Sequence, residues 1–320
     1  MKLGKLDNET LDRLILRKFK QTRTESFGVP RIGMDCALLD FENDLIVTSC
    51  DPITSADWTH IGSLSVHVNC NDAAAGGADP VGLLVTLLLP QNVTEDMIDR
   101  IADDLQSAAE QAGVDILGGH TEVTDAVTRV VTNTTVLARV NKNSALIGAQ
   151  VGDSIVMTKW AGLEGTMLIA SERAEVLKGL DQKVIESAKK LDRYLSVVPE
   201  SRIAMHNGVH AMHDVTEGGV LGAVWELAAQ SGKGAVIDRY LIPVLPETIL
   251  ITEKAKIDPY RLIASGSMLI SCSDGDAMCR ALHEAGIHAA VIGTISERGC
   301  VFTDGSEIGA PGADELYRLF

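Results

Sequence analysis

Residues 61–89 constrain the fold more than any other stretch, because a helical pattern is followed at once by small residues and an apolar run. Apolar side chains at positions 61, 64, 66 and 68 can face a core from one helix. The small residues of Ala73–Ala78 allow another backbone or a ligand to approach closely, and Pro80 stops the helix. Because Val81–Leu89 has the length and composition of a buried strand, the stretch predicts a helix joined to that strand.

Three polar side chains lie together near the end of this predicted helix: Asn69, Asn71 and Asp72. Amide and carboxylate oxygens are hard ligands for a cation and hydrogen-bond partners for a polar ligand. The same residues are also compatible with the solvent-exposed stripe of an ordinary amphipathic helix, which is the commoner case for such a pair taken alone. This stretch alone leaves both interpretations open.

The remainder of the chain alternates helical and strand patterns with short connections, which is typical of an α/β fold. With 320 residues the chain is long enough for two domains. The polar and small residues 141–150 mark a boundary, so we predict an N-terminal domain over 1–147 and a C-terminal domain over 148–320. The periodicity predicts strands over 37–41, 45–49 and 130–140, and helices over 94–112 and 201–212.

The charge and the cysteine pattern exclude several classes of protein. A formal net charge of -16 repels phosphate backbones and anionic lipids, so we expect neither nucleic-acid nor membrane binding. The six cysteines form no C-x-x-C pair, which argues against a zinc ribbon or a thioredoxin-like site. Without a signal-peptide pattern at the start, the sequence predicts a cytosolic protein.

Acidic residues recur in turns, most of them beside glycine or another small residue. These turns contain Asp35, Asp51, the pair Asn71-Asp72, Glu122 after Gly118-Gly119, and Asp214 before Gly218-Gly219. Carboxylates from several loops suit Mg²⁺, and glycine-rich turns offer backbone N–H groups to phosphate oxygens. The pattern therefore favours a metal–triphosphate site. No G-x-x-x-x-G-K-[ST] loop is present, so this is not a P-loop protein.

Two further residues in the second half are candidates with open alternatives. Lys159 follows a predicted strand, where it either meets a phosphate or is a solvated strand end. His213 precedes Asp214, where it either takes part in catalysis or caps a helix end.

Taken in order, the motifs resemble those of the aminoimidazole-ribonucleotide (AIR) synthase superfamily over nearly the whole chain. They are Gly33-Met-Asp35-Cys-Ala, Asp51-Pro, Asn71-Asp72-Ala-Ala-Ala-Gly-Gly, Gly118-Gly119-His-Thr-Glu122, Gly152-Asp153 and His213-Asp214-Val-Thr-Glu-Gly218-Gly219. The resemblance implies a two-domain fold whose N-terminal strands build a barrel across a homodimer. It also implies ATP and Mg²⁺ as ligands.

The resemblance assigns roles to residues of this sequence. The implied metal ligands are Asp35, Asp51, Asp72, Glu122 and Asp214. The implied nucleotide contacts are Gly33, Asn69, Asn71, Gly118, Gly119, Lys159, Gly218 and Gly219. The implied catalytic residues are Asp72, His213 and Asp214.

Within the superfamily, the helix around Val66-His67 and the segments 213–219 and 258–266 are most similar to the HypE hydrogenase maturation proteins. This similarity implies phosphoryl transfer from ATP to a carboxamide or similar oxygen, with another maturation protein as a partner. Two alternatives remain open: a small-metabolite kinase like thiamine-monophosphate kinase, and a nucleotide-binding assembly partner with little turnover.

The sequence departs from the HypE pattern in three places. His120 stands where the family has an acidic residue, with Glu122 two positions later, and Met34 replaces one acid of the usual pair at Asp35. HypE proteins end in a cysteine that carries the carbamoyl group, whereas this sequence ends in Phe320 and its last cysteine is Cys300. We therefore expect Mg-ATP binding without self-cyanation, with Cys300 held in a strand. The acceptor is then a small molecule or a residue on another protein.

Overall fold

A computed structural model describes residues 4–5, 8–26, 29, 44–54, 56–141 and 146–319. The chain divides into two compact units. The first comprises Met1–Ala73 and Ala78–Asn143, and the second comprises Ala74–Gly77 and Ser144–Phe320. None of the helices in these described ranges combines the length and the apolar character needed to cross a membrane.

The first unit is built on a five-stranded sheet with the order β1-β4-β3-β5-β2. Its strands are β1 (Gly4–Lys5), β2 (Asp44–Ile53), β3 (Asp79–Leu89), β4 (Asp115–Val123) and β5 (Val131–Asn141). The accompanying helices are α1 (Asn8–Leu14), α2 (Ile61–Ala75) and α3 (Glu95–Ala112). β3 and β4 are parallel, while β5 pairs antiparallel with both β3 and β2.

The ends of α3 follow directly from its sequence. The Thr94 hydroxyl accepts a hydrogen bond from the backbone N–H of Met97 and caps the start of the helix. Gly113 takes a left-handed conformation at the other end. The buried stripe comprises Ile98, Ile101, Ala102, Leu105, Ala108, Ala109 and Ala112. This helix confirms the prediction from periodicity.

The two faces of the first sheet differ in burial. Along β5, residues 132, 134, 136, 138 and 140 are buried, while 131, 133, 135, 137 and 139 are partly or fully exposed. α2 covers the buried side, since its Ser65 hydroxyl lies 2.5 Å from the hydroxyl of Thr134. We call the side of Thr134 the inner face and the side of Leu137 the outer face.

The second unit contains a six-stranded sheet with the order β11-β8-β10-β6-β9-β7. Its strands are β6 (Ser154–Thr158), β7 (Val209–Asp214), β8 (Gly234–Ile237), β9 (Met268–Cys272), β10 (Ala289–Ser296) and β11 (Cys300–Phe302). Its helices are α4 (Leu163–Glu172), α5 (Gln182–Lys189), α6 (Val198–His206), α7 (Gly219–Gln230), α8 (Pro246–Ala255) and α9 (Gly275–Glu284). Every residue of β9 is buried, so this strand lies in the core of the unit.

Three local predictions need correction, and one cannot be compared. The helix predicted over 201–212 ends at His206, because residues 209–214 pair with β9 as strand β7. The strand predicted over 45–49 continues to Ile53, so Asp51 lies within β2 rather than after it. Pro80 does not stop the helix, since α2 ends at Ala75 and Pro80 already belongs to β3. The strand predicted over 37–41 lies outside the described residues.

Candidate functional site

Asp51 and Asn69 are joined by two reciprocal hydrogen bonds between β2 and α2. The backbone N–H of Asp51 donates to Asn69 Oδ1 at 2.8 Å, and Asn69 Nδ2 donates to the carbonyl oxygen of Asp51 at 3.3 Å. Asn69 Nδ2 also donates to the carbonyl oxygen of Ser65 at 2.9 Å. Asn69 is fully buried and its side chain holds the backbone of Asp51, while its contact with a nucleotide stays a prediction.

A second link joins the same two elements at Asp72. The Ser49 hydroxyl donates a hydrogen bond to Asp72 Oδ2 at 2.5 Å. Ser49 and Asp51 are two residues apart on β2, so both belong to the inner face, which α2 covers. The structure therefore brings two of the expected acidic ligands, Asp51 and Asp72, to one contact between α2 and β2.

The burial of α2 decides between the two interpretations of its polar residues. Ser65, His67, Asn69 and Asn71 are all buried, with exposures of 3% or less. A solvent-exposed polar stripe is therefore excluded for this helix. Buried polar groups need hydrogen-bond partners, and the Asn69 and Ser65 contacts described above supply two of them.

The sequence suggested that Gly118 and Gly119 lie in a turn. In the structure they lie inside β4. Their Cα partners in β3 are Leu84 and Val85. A Cβ atom on Gly119 would lie 1.8 Å from the carbonyl oxygen of Val85, so only glycine permits this approach of the two strands. Close strand packing therefore accounts for at least the second of these glycines.

Glu122 lies on the outer face of the sheet, away from Asp51 and Asp72. Along the sheet, Glu122 is level with Val131, whereas Asp51 is level with Thr134 on the inner face. The Glu122 carboxylate instead lies 3.2 Å from His120 Nε2. The described fold thus does not bring Glu122 to the other two carboxylates.

The remaining expected ligands of the first unit cannot be placed. Gly33 and Asp35 lie outside the described residues. Among the side chains that the structure does describe, no group of three or more His, Cys, Asp or Glu is arranged to hold a metal ion. Two carboxylates still fit Mg²⁺, because this ion is commonly bound by one or two carboxylates together with substrate phosphates and water.

Lys159 is a buried cation that is held by contacts within the protein. Its Nζ donates to the carbonyl oxygens of Tyr194 at 3.0 Å, Ser196 at 2.6 Å and Gly266 at 2.8 Å. The carboxylate of Glu200, which is 1% exposed, lies 2.5 Å from the same nitrogen. An ammonium group has three hydrogens, so these contacts use all of them. The solvated strand end considered from the sequence is wrong, because Lys159 is buried, and the phosphate contact stays a prediction.

His213 and Asp214 form the end of β7. His213 Nδ1 lies 2.7 Å from the carbonyl oxygen of Asp214. Because a carbonyl only accepts, Nδ1 carries the proton, and Nε2 is the nitrogen that faces Glu226 at 3.6 Å. Asp214 is 6% exposed. The two residues therefore have fixed positions at the start of the loop that leads to α7.

Gly218 and Gly219 shape the turn that opens α7, and their N–H groups are already used. The N–H of Gly218 donates to Asp314 Oδ2 at 2.8 Å, and that of Gly219 donates to the carbonyl oxygen of Thr216 at 3.1 Å. Gly219 has φ +61, and a Cβ atom there would lie 2.6 Å from the carbonyl oxygen of Tyr260. These contacts give both glycines a structural role, and their contact with a nucleotide stays a prediction.

Glu164 in α4 is a buried carboxyl group that the sequence analysis did not identify. Burial raises its pKa to about 7, and the negative charges of Asp314 and Glu217 act in the same direction. The Tyr317 hydroxyl donates to the Glu217 carboxylate, and this bond raises the pKa of Tyr317 to about 12. The signal in the sequence was an acidic residue between Leu163 and Gly165, directly after a predicted strand. This pattern fits the buried start of a helix as well as a turn.

Comparison with protein families matches two models to this chain. The AIR synthase related protein, N-terminal domain, matches residues 33–140. The AIR synthase related protein, C-terminal domain, matches residues 150–304. Together the two matches cover the candidate motifs of both units.

Individual relatives agree with these matches. Carbamoyl dehydratase HypE of Cupriavidus necator is 32% identical over 252 residues, which covers 75% of this chain and 68% of the relative. The crystal structure of Escherichia coli HypE, a hydrogenase maturation protein, superposes with a TM-score of 0.81 at 24% identity, covering 98% of this chain and all of that chain. A HypE structure in complex with ATP superposes with a TM-score of 0.75 at 23% identity, covering 98% and 96% of the two chains.

Proposed function

We propose that the chain, which belongs to the AIR synthase related family, is a Mg²⁺-dependent ATP-using enzyme of the HypE type. It activates a carboxamide or similar oxygen by phosphoryl transfer from ATP. The relatives named carbamoyl dehydratase support the reaction class, and the HypE structure in complex with ATP supports the nucleotide.

The observation that carries this proposal is the contact between α2 and β2, where Asn69 bonds to the backbone of Asp51 and Ser49 bonds to the carboxylate of Asp72. Asp51 and Asp72 are the residues that would hold Mg²⁺ in the proposed site. When bound, the ion neutralises charge on the transferred phosphoryl group. His213 and Asp214, at the end of β7, are proposed as catalytic residues because an imidazole and a carboxylate can both exchange protons.

The proposed reaction balances as a dehydration coupled to ATP. The amide oxygen of the acceptor attacks the γ-phosphorus, which breaks the bond to ADP and forms a carbon–oxygen–phosphorus link. The two N–H protons of the amide are then removed as the carbon–oxygen bond breaks. The products are a nitrile, ADP and inorganic phosphate. The reaction therefore requires a base that accepts these protons.

The test combines binding with product analysis. Calorimetry with ATP, with and without Mg²⁺, is expected to show binding that requires the metal. Incubation with ATP and an S-carbamoylated cysteine peptide is then expected to release ADP and phosphate, while the peptide loses the mass of one water. A gain of one phosphate on a small alcohol or phosphomonoester would instead support the kinase alternative. Tight binding without any turnover would support the assembly-partner alternative.

The proposed quaternary state is a homodimer, in which the outer face of the first sheet is covered. Leu84, Leu88 and Leu137 lie on this face and are only partly buried, while Ile46 is 59% exposed. Burying such a face between two copies removes apolar surface from water. The solved complex of HypE with HypF supports another maturation protein as a further partner. The described cysteines are all free thiols, which supports a cytoplasmic location.

A further inference from the structure

We infer that Asn69 is a positioning residue. Its side-chain amide sets the position of the Asp51 carboxylate, and Asp51 shares a cation with Asp72. The inference rests on the proposed function, because the cation belongs to the proposed Mg-ATP site. The geometry itself is independent of any ligand. It consists of the two hydrogen bonds between the Asn69 side chain and the backbone of Asp51.

The pairing of β2 explains why Asp51 needs such a partner. β2 is the last strand of the described sheet, and its residue Asp51 lies opposite Thr134 of β5. In an antiparallel pair, a residue directs both its N–H and its C=O either toward the partner strand or away from it. Both groups of Asp51 bond to Asn69, so they point to the edge of the sheet. The side-chain amide of Asn69 thus supplies the acceptor and the donor that a neighbouring strand would otherwise offer to the backbone of Asp51.

The arrangement couples the two candidate ligands through one helix. Asn69 and Asp72 are three residues apart on α2, which places them on adjacent turns of one side. Ser49 and Asp51 are two residues apart on β2, which places them on one face. Asn69 therefore bonds to the backbone of Asp51 while Ser49 bonds to the carboxylate of Asp72. A shift of either link changes the separation of the two carboxylates.

A matched control is available on the same helix. The Ser65 hydroxyl lies 2.5 Å from the Thr134 hydroxyl, and both residues are fully buried. This contact also joins α2 to the inner face, and although Thr134 lies opposite Asp51, the two hydroxyl groups belong to neither candidate ligand. The variant Ser65→Ala therefore removes a buried helix–sheet contact of similar kind without touching the candidate ligands, while the carbonyl of residue 65 still accepts from Asn69.

The first test measures the Asp51 amide directly, without nucleotide. Hydrogen exchange by NMR on the full chain is expected to show a protected Asp51 amide in the wild type. Exchange should accelerate about fivefold in Asn69→Ala, since the amide then loses one hydrogen bond. It should be unchanged in Ser65→Ala. If Asn69→Ala does not fold, Asn69→Ser replaces it in the test, because serine is uncharged and small enough to leave space for a water molecule. Equal exchange in all variants would overturn the inference.

The second test measures the dependence of ATP binding on Mg²⁺. In Asn69→Ala, the Mg²⁺ concentration for half-maximal ATP binding should rise about tenfold, and excess Mg²⁺ should restore full binding, as expected when a ligand is misplaced rather than lost. In an Asp51→Asn background the same substitution should add little, because Asn69 acts through Asp51. Equal effects of Asn69→Ala in both backgrounds would overturn this inference but not the proposed function. Absence of Mg²⁺-dependent ATP binding in the wild type would overturn the proposed function.

Discussion

The Nζ atom of Lys159 and a carboxylate oxygen of Glu200 form a buried ion pair at 2.5 Å. Three backbone carbonyls complete the surroundings of the ammonium group. Desolvation of two charges is costly, and removing one partner leaves the other buried without compensation. The pair therefore ties β6, α6 and the segments around Tyr194 and Gly266 together, and its role is structural.

We expect Lys159→Met to lower the free energy of unfolding by about 3–5 kcal/mol, without changing the ATP affinity of the folded protein. Urea titration and calorimetry measure the two quantities. The matched control is Lys189→Met, because Lys189 pairs with Glu186 at 3.1 Å with both side chains largely exposed. A surface pair of this kind contributes at most about 1 kcal/mol. If the two variants lost equal stability, or if Lys159→Met selectively abolished ATP binding, the structural role would be wrong.

Asp72→Asn tests the proposed metal site. The substitution keeps the volume of the side chain and the bond from Ser49, but it removes one negative charge from the cation. The affinity for Mg-ATP or the turnover should fall at least about tenfold, which is about 1.4 kcal/mol. Asp96→Asn is the control, since Asp96 is an exposed carboxylate in the same unit. Wild-type binding and turnover in a folded Asp72→Asn protein would remove Asp72 from the site.

Local sequence signals predicted the elements whose ends are encoded within a few residues. α3 is the clearest example, because Thr94 and Gly113 supply both caps and the apolar stripe lies between them. The segment 201–212 shows the limit of this approach. Its helical spacing is real up to His206, but residues 209–214 are a strand because they pair with β9, more than fifty positions along the chain.

In the candidate site too, local sequence patterns identified residues, whereas the contacts of these residues depend on partners that are distant in sequence. The motifs singled out Asp51, Asn69 and Asp72, and the structure does bring these residues together. Their separate roles depended on contacts between β2 and α2, which no local pattern encodes. The burial of Lys159 was missed for the same reason, since its partners Glu200 and Gly266 are distant in sequence. Glycines 218 and 219 matched a phosphate turn but are explained by Asp314 and Tyr260.

The buried Glu164 predicts a pH dependence of stability. Its pKa is about 7 in the folded protein against 4.5 for an ordinary glutamate. Between these values the folded state keeps a proton that the unfolded state has released, so stability is lost as the pH rises through this window. Relative to the wild type, Glu164→Gln should therefore gain about 2–3 kcal/mol of stability between about pH 5 and pH 8. Urea unfolding at both pH values measures this change.

The control for this prediction is Glu175→Gln, because Glu175 is exposed in the segment that follows α4. This variant should track the wild type at both pH values. If Glu164→Gln also tracked the wild type, the carboxyl group of Glu164 would have an ordinary pKa in the folded protein.

The proposed homodimer predicts the molecular mass of the protein in solution and the reactivity of the Cys50 thiol. Light scattering at micromolar concentration should give a dimer for the wild type and a monomer for Leu137→Asp, which places a charge on the outer face. Cys50 is on the same face, where its sulfur accepts a hydrogen bond from Thr135 at 3.1 Å, and it is exposed in a single chain. Alkylation of Cys50 should therefore be faster in the variant. A monomeric wild type would contradict the covered outer face.

Cys300 should not act as an acceptor for carbamoyl or cyano groups. It lies in β11, as expected from the sequence, and pairs with Ala235 of β8 while being only 7% exposed. Burial raises the pKa of its thiol, and the thiolate is the nucleophilic form. Incubation with ATP and a carbamoyl-donating maturation protein, followed by intact-mass spectrometry, should leave the mass of the chain unchanged. Peptide mapping with Cys300→Ser as the control locates any adduct, and a carbamoyl or cyano group on Cys300 would show that β11 opens to expose this thiol.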